Sequence, residues 1–467
     1  MSTGQVSPAV VLRSPAGRWI VLAAVLGSGM ALLDGTVVNV AVKPIGEDLG
    51  AGLSELQWVV NAYLLFLASL ILIGGSLGDR FGRRRMFMLG VGWFAAASLL
   101  CGIAQDPLQL IAARALQGIG GALLTPGSLA ILQASLQPAD RSRAIGTWSA
   151  YTGIAAAAGP LLGGWLIQAA SWRWVFLINV PLAALVLVVT ARHVPESGHR
   201  RPGQRFDVAG AVLGALGLAG VTYALIEANA GVSTAVLLAG VLGLAALGCF
   251  VGVERWQDDP MLPPSLFRDR TFSVVNLVTF AVYGALGAMM FLLVLQLQVS
   301  AGFSPLQAGL SMVPFTVIML LFSSRSGALA ARIGPRAQLM GGPLLAAVGV
   351  LLLSRIDASA TYLGDVLPGV CLFGAGMTLL VAPLTASVLA AAPEQEAGIA
   401  SGVNNAVARA AGLLFVAALP TLVGLSDQDY QDPAAFTDGY RVALLVCVAV
   451  LVAGSGLATM VPRQQQV

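Results

Sequence analysis

The stretch that decides the fold is Gly75-Ser-Leu-Gly-Asp-Arg-Phe-Gly-Arg-Arg84, which closes one long apolar run and precedes another. A second copy, Gly327-Ala-Leu-Ala-Ala-Arg-Ile-Gly-Pro-Arg336, stands in the same place between two later apolar runs. Ser-x-Leu-Gln precedes the first run of each pair, at Ser54 and at Ser304. Self-similarity at a fixed offset indicates an internal repeat. We therefore expect two related halves joined in tandem.

The composition assigns both halves to a membrane. Of 467 residues, 57% are hydrophobic and 10% are charged, the mean hydropathy is +0.85, and the formal net charge is +3. Soluble domains carry about 25% charged residues. The composition therefore excludes a water-soluble globule and a disordered chain, and the small net charge excludes a nucleic-acid partner. The chain is predicted to be an all-α integral membrane protein.

A helix that crosses a bilayer needs about 20 apolar residues, and the sequence contains about fourteen such runs. The first six match the last six, so two spans are left over as an insertion. We expect a six-helix bundle over 1–195, a two-helix insertion over 196–262 and a second six-helix bundle over 263–467. The fourteen runs lie near 19–40, 57–78, 87–104, 108–132, 144–168, 174–191, 208–227, 232–253, 272–298, 305–325, 338–354, 362–391, 398–423 and 440–461.

The distribution of basic residues predicts the orientation of the spans. With both termini in the cytoplasm, nineteen of the 25 lysines and arginines lie on the inner side and four lie outside. Such a bias is the positive-inside signal of membrane proteins. An odd number of helices would scramble it, so it also supports the count of fourteen. Ala- and Gly-rich sequence with a single lysine hints at a bacterial source, so we expect a multi-pass protein of a bacterial cytoplasmic membrane.

Five motifs in order resemble the major facilitator superfamily, and within it the fourteen-span drug:proton antiporters. The second half departs from the first at Ala331, which stands where the first copy has an acid. The resemblance implies two six-helix bundles plus two extra helices, usually working as a monomer. The motifs are a loop motif (Gly75, Asp79, Arg80, Gly82, Arg84), a helix-4 motif from Arg114 to Gly121, an antiporter motif (Gly153, Gly159, Pro160, Gly163, Gly164), and two branch signatures, 33–41 and 172–181.

Asp34 and Arg114 are the candidates for proton coupling. A carboxylate within the hydrocarbon layer costs roughly 2.5–3.5 kcal/mol on insertion scales, so it should face a cavity or a partner. Both residues lie six positions from the predicted outer end of their spans, and the superfamily turns both helices towards one cavity, so we expect an ion pair. The alternatives are a structural interhelical hydrogen bond for Asp34, and snorkelling or carbonyl binding for Arg114.

The other motifs suggest motion rather than chemistry. In the superfamily the loop motif latches the cytoplasmic side of one conformation, whereas its arginines alone would also serve as topology signals. Glycines in the antiporter motif predict close approach of helix 5 to a neighbour, with Pro160 kinking it. Two interpretations of the antiporter motif fit these residues: a tight pivot that seals against proton leak, and ordinary packing of small residues. The polar candidates for a substrate cavity are Asn39, Asn61, Tyr63, Asn276, Tyr283, Gln296 and Arg409.

These observations favour a secondary transporter. The chain has no Gly-x-x-x-x-Gly-Lys-Ser/Thr loop for nucleotide hydrolysis, no clustered nucleophile, base or metal ligands for an enzyme, and no soluble signalling domain. We expect no cofactor and no metal, with the proton gradient as the energy source. The resemblance implies export of lipophilic, possibly cationic drugs or antibiotics in exchange for protons. The alternative is a dedicated exporter of an endogenous metabolite or lipid on the same fold.

Overall fold

The computed structural model describes residues 10–197, 207–257, 260–393 and 396–462, and within them it is helical throughout with no strand. Fourteen helices in this part of the chain are long and apolar enough to cross a membrane, which confirms the predicted number. In chain order they are α1 Pro15–Leu49, α2 Leu53–Phe81, α3 Arg83–Ile103, α4 Pro107–Ser135, α5 Pro138–Ala169, α6 Trp174–His193, α7 Val208–Ala230, α8 Thr234–Trp256, α9 Arg270–Val299, α10 Pro305–Ile333, α11 Pro335–Leu353, α12 Tyr362–Ala390, α13 Gly398–Leu422 and α14 Pro433–Ala458.

Several helices extend beyond the apolar runs because capping residues, rather than hydropathy, decide where they begin. The side chain of Ser14 accepts a hydrogen bond from the Gly17 amide at 3.1 Å, and Pro15 follows as the first helical residue. Asp106 caps α4 in the same way through the Gln109 amide, followed by Pro107. Such caps satisfy amides that the first helical turn leaves free, and proline has no amide to satisfy.

The packing follows the repeat. Within the first half α4 packs on α2 and α3, while α5 packs on α1; within the second half α12 packs on α10 and α11, while α13 packs on α9. The division into 1–195, 196–262 and 263–467 stays a prediction, and 198–206 and 258–259 of the insertion lie outside the described residues.

The inserted helices α7 and α8 pack on each other, and α7 also packs on both halves, against α2 and α13. Glu227 near the end of α7 accepts a hydrogen bond from Trp58 Nε1 at 3.1 Å. The carbonyl of Leu225 accepts one from the Thr421 hydroxyl at 2.7 Å. The insertion therefore bridges the two halves at this end.

The two halves meet through hydrogen bonds where α1 ends and α2 begins. Lys43 Nζ donates to the carbonyl of Gln298 at 2.9 Å, and Gln298 Nε2 donates back to the carbonyl of Val40 at 3.1 Å. Gln57 Nε2 donates to the carbonyl of Val416 at 2.6 Å. These contacts join α1 to α9 and α2 to α13, and they close this end of the interface.

Candidate functional site

Asp34 lies in the middle of α1 and is fully buried. Its Oδ2 atom accepts a hydrogen bond from Arg114 Nη1 of α4 at 2.5 Å, which is also the ion pair that the sequence predicts. Its Oδ1 atom accepts from Gln117 Nε2 at 2.8 Å and from Asn179 Nδ2 of α6 at 2.9 Å. A charge buried this deeply is stable only when it is paired and hydrogen-bonded. Two helices, α4 and α6, therefore supply the three donors that hold one carboxylate.

Arg114 is only 1% exposed and is enclosed on every side. Its Nε atom donates to the carbonyl of Val59 at 3.1 Å, and Nη1 also donates to Gln117 Oε1 at 2.5 Å. The guanidinium carbon lies 4.4 Å from the ring centroid of Tyr63 and 5.6 Å from that of Phe176. Arg114 thus does not snorkel to the surface. It binds a backbone carbonyl and the Asp34 carboxylate together.

The sequence analysis missed the residues that complete this network. Gln117 and Asn179 stand inside motifs quoted for the superfamily, so their position in those motifs was the available signal. Ser98 of α3 carried no signal, yet its hydroxyl accepts from Gln117 Nε2 at 2.7 Å and from Asn179 Nδ2 at 3.3 Å. Two aromatic residues of the signature 172–181 also lie inside the protein: Phe176 is fully buried beside Arg114, and Trp172 is 3% exposed.

The loop motif makes its described contacts around the start of α3. Asp79 pairs with Arg83, at 2.8 Å to Nη2, whereas the sequence analysis singled out Arg80 and Arg84. Arg84 donates to the carbonyl of Ala191 at 2.5 Å. The Glu196 carboxylate accepts the amides of Arg84 and Arg85 at 3.1 and 3.2 Å, so a negative charge caps this helix N-terminus.

Gly82 is required at this turn by its backbone conformation. Its φ of 106° lies in the region that favours glycine. A Cβ there would also meet Glu196 Oε1 at 2.6 Å. Both observations fit the tight turn that the sequence predicts between α2 and α3.

The glycines of the antiporter motif divide into two groups. A Cβ on Gly159 would lie 2.0 Å from Thr36 Oγ1, and one on Gly163 would lie 2.3 Å from Val37 Cγ2, so both allow α5 to touch α1. A Cβ on Gly164 would lie 2.6 Å from the carbonyl oxygen of Pro305 in α10, across the boundary between the halves. The expectation is wrong for Gly153, which is exposed and has nothing within 4 Å of a Cβ.

The Pro160 carbonyl lies at the same crossing of α5 and α10. A Cβ on Gly309 of α10 would come within 2.1 Å of this oxygen. Glycines on both helices therefore let the two backbones touch where the halves meet, as small residues do at interfaces between membrane helices.

Two of the seven predicted cavity residues instead bind within the second half. Gln296 Nε2 donates to the carbonyl of Ile356 at 3.0 Å and to Thr437 Oγ1 at 2.9 Å. Asn276 Nδ2 donates to the carbonyl of Phe272 at 2.9 Å, and its Oδ1 accepts from Asn404 at 3.1 Å. Both side chains are buried, so they hold helices together.

The remaining candidates keep free polar atoms or lie beside charges. Asn61 is fully buried, and neither atom of its amide has a partner among the described residues. Tyr63 is buried against Arg114, and its hydroxyl lies 3.4 Å from the carbonyl of Ala31. Asn39, Tyr283 and Arg409 are half-buried. The Nε atom of Arg409 is enclosed by protein and has no hydrogen-bond partner among the described residues.

Metal chemistry has no visible support in this part of the chain. Among the described residues, no three histidine, cysteine, aspartate or glutamate side chains come together to hold an ion. Cys101, Cys249, Cys371 and Cys447 are all free. The buried ion pair is therefore the chemical centre that the described helices build.

Fourteen apolar helices in two packed halves, with an ion pair buried inside one of them, define a multi-pass membrane transporter. The chain belongs to the Major Facilitator Superfamily, which it matches over residues 24–417. Transporters of this superfamily are not enzymes. The family and the number of helices therefore agree with the expected fold class.

Several related proteins are named for resistance to antibiotics or other drugs. The chain is 36% identical over 460 residues to the puromycin resistance protein of Streptomyces alboniger, covering 94% of this chain and 90% of that one. It is 37% identical over 388 residues to the multidrug resistance protein Stp of Mycobacterium tuberculosis, covering 82% and 71%. It is 35% identical over 457 residues to a methylenomycin A resistance protein of Bacillus subtilis, covering 95% and 97%.

Solved structures share the fold at low sequence identity. A bacterial homologue of the human lysosomal transporter Spinster, inward-facing and unoccupied, superposes with a TM-score of 0.68 at 18% identity, covering 96% of this chain and 97% of that one. The peptide transporter POT in complex with sulfate gives 0.68 at 15% identity, covering 98% and 99%. At these identities the likeness concerns the fold alone.

Proposed function

We propose that the protein exports lipophilic small molecules, antibiotics among them, in exchange for protons. The observation that carries the proposal is the buried Asp34 carboxylate with its donors from α4 and α6. Acidic side chains are rare inside the membrane because burying their charge costs free energy, so those that occur there are by default interpreted as functional. The names of the related resistance proteins support drugs as the substrates.

The Asp34 network suits a site that exchanges a proton. The ionised carboxylate is balanced by Arg114, so the deprotonated state leaves no net charge on the pair. Protonation of Asp34 removes that balance, frees Arg114 from its ion pair and changes how α1, α4 and α6 are held together. A proton taken up from outside and released inside would then be coupled to a change in helix packing.

Alternating access requires the two halves to open at one end and close at the other. The hydrogen bonds between α1 and α9 and between α2 and α13 close the end at which α1 terminates. With both termini in the cytoplasm, this is the outer end, and the protein faces inward. We place it as a monomer in a bacterial cytoplasmic membrane, with the proton gradient as its energy source and no cofactor.

The test is proton flux in reconstituted liposomes that carry a pH gradient and enclose a pH-sensitive dye. A panel of lipophilic cations and antibiotics is added to wild type and to Asp34→Asn. We expect substrate-triggered proton flux in wild type and none in the variant, because the asparagine side chain cannot take up and release a proton as a carboxyl group does. Asp438→Asn is the matched control, since Asp438 is exposed at the start of α14. It should behave as wild type.

Flux that persists in Asp34→Asn would place the proton on another acid and contradict this assignment. Absence of flux with every drug, in protein shown to be folded by size-exclusion chromatography, would favour the second candidate. That candidate is a dedicated exporter of one metabolite or lipid. It is favoured by relatives that are named for single compounds, such as the cephamycin export protein of Amycolatopsis lactamdurans.

A further inference from the structure

Arg409 of α13 differs from the other charged groups deep in the membrane. Asp34 and Arg114 neutralise each other, whereas Arg409 has no carboxylate within ion-pair distance and no hydrogen-bond partner among the described residues. Its Nε atom is enclosed by protein and unsatisfied. An arginine at this depth needs a partner or a polar cavity. Within the part of the chain that the structure describes, Arg409 is therefore a positive charge without a compensating acid.

The position of Arg409 lies on the face of α13 that meets the first half. Gln57 of α2 binds the carbonyl of Val416, and a Cβ on Gly402 would come within 2.9 Å of Leu72 of α2. Arg409 lies between these two contacts along α13. It therefore belongs to the boundary between the halves, where transporters of this architecture hold their substrates.

The helices packed against α13 include α9 of its own half and α2 of the other. The buried amide of Asn61, one helical turn along α2 from Gln57, has no partner among the described residues. No carboxylate of the described residues lies within ion-pair distance of Arg409. A guanidinium without an acidic partner matches an anionic oxygen group, and it can bind a carboxylate by two parallel hydrogen bonds.

We propose that Arg409 binds an anionic oxygen group, a carboxylate or a phenolate, on the transported molecule. This inference rests on the proposed export function and narrows its substrate class. It departs from the expectation of cationic drugs, because a cation would meet the uncompensated charge of Arg409. Arg409 lies where α13 meets the first half, so the site is enclosed only when the halves are together.

The experiment measures binding without any gradient, using full-length protein in lipid nanodiscs. The probes are anthracene-9-carboxylate, its methyl ester and 9-aminomethylanthracene, detected by energy transfer from tryptophan after subtraction of protein-free nanodiscs. Wild type should bind the carboxylate about tenfold more tightly than the ester. Arg409→Gln should lose this preference, while Arg409→Lys should keep part of it, because lysine retains charge without the guanidinium fork.

Arg268→Gln is the control for net charge, since Arg268 is exposed in the segment before α9. It should bind like wild type. A carboxylate preference that survives in Arg409→Gln would overturn the proposal, and so would a wild type that prefers the ammonium probe. If Arg409→Gln fails to fold, the partial loss expected in Arg409→Lys tests the assignment instead, and a wild type that binds carboxylate and ester equally would overturn the proposal by itself.

The outcomes separate this inference from the export proposal. Binding to wild type and to the Arg409 variants is measured without a gradient, so it is scored independently of proton flux through Asp34. Arg409-dependent binding in a protein without drug-dependent flux would leave this inference standing and contradict antiport. Drug-dependent proton flux without a carboxylate preference would support antiport and contradict an anion site at Arg409.

Discussion

At the scale of single residues, the Asp34 network shows how a membrane interior tolerates a charge. Removing one partner of a buried ion pair typically costs 3–5 kcal/mol, because the other charge is left uncompensated. Here the carboxylate has three side-chain donors, of which only Arg114 is charged. Gln117 and Asn179 can therefore be changed singly without leaving the acid unpaired. They hold the Asp34 carboxylate between α4 and α6.

Asn179→Ala should lower substrate-triggered proton flux without abolishing it. The substitution removes one of the three donors to the Asp34 carboxylate, and a hydrogen bond to a charged group is worth about 1.5–3 kcal/mol, so α6 should be held less firmly against α1. The measurement is the rate of proton flux in liposomes relative to wild type. Asn179→Ala added to Asp34→Asn should have no further effect. An unchanged rate in the single variant would contradict a role for Asn179 in the Asp34 network.

At the scale of helices, α5 uses its glycines to make close contacts with two neighbouring helices. Gly159 and Gly163 face α1, and Gly164 faces α10 of the other half. The Thr36 hydroxyl also donates to the carbonyl of Ala156 at 3.1 Å, next to the Gly159 contact. Close backbone approach supplies the packing that lipid-exposed helices cannot obtain from the hydrophobic effect. The same helix thus holds α1, which carries Asp34, and touches the half that carries Arg409.

Gly163→Ala should destabilise the protein, because its Cβ would overlap Val37 Cγ2. Overpacking of this kind typically costs about 1–3 kcal/mol. Gly153→Ala is the matched control, since nothing lies near its Cβ and alanine favours a helix by up to about 1 kcal/mol over glycine. The measurement is thermal unfolding in detergent, together with proton leak in liposomes without substrate. Equal melting temperatures for the two variants would contradict the close contact of α5 with α1.

At the scale of the whole molecule, the repeat, the insertion and the orientation act together. The halves touch through α1, α2 and α5 of one and α9, α10 and α13 of the other, and α7 packs against both. The Asp34 ion pair belongs to the first half, whereas Arg409 belongs to the second. Relative motion of the halves would therefore change the distance between the proton site and the proposed anion site.

Reporter fusions test the orientation on which this account depends. Alkaline phosphatase, which is active only outside, should be active when fused after Gly302, between α9 and α10, and inactive after Gly334, between α10 and α11. Green fluorescent protein should show the opposite pattern. Both positions are glycines with positive φ in short connections, so the fusions leave complete helices before them. The reverse pattern would place the termini outside the cell and invert the direction of transport.

The fold could be predicted closely because its main determinants are local. Fourteen apolar runs, the arginine bias and the two loop copies depend only on residue type along the chain, since a bilayer imposes one length and one polarity on every span. The residues at which the helices begin and end were less predictable. The run ending near 40 becomes a helix that continues to Leu49, because a hydropathy boundary marks the lipid and not the end of hydrogen bonding.

The sequence was sufficient to predict the class of protein, the number of helices, the acid Asp34 and the base Arg114 inside the spans of the first half, and Arg409 as a polar candidate for the cavity. Only the tertiary structure decided that Asp34 binds Arg114, that Gln117, Asn179 and Ser98 complete the network, and that Gly153 has no close neighbour. The physical reason is that hydrogen bonds and close contacts depend on how helices far apart in the chain are rotated and packed. The hydrophobic periodicity of the sequence does not predict how a helix is rotated about its own axis when nearly every face of that helix is apolar.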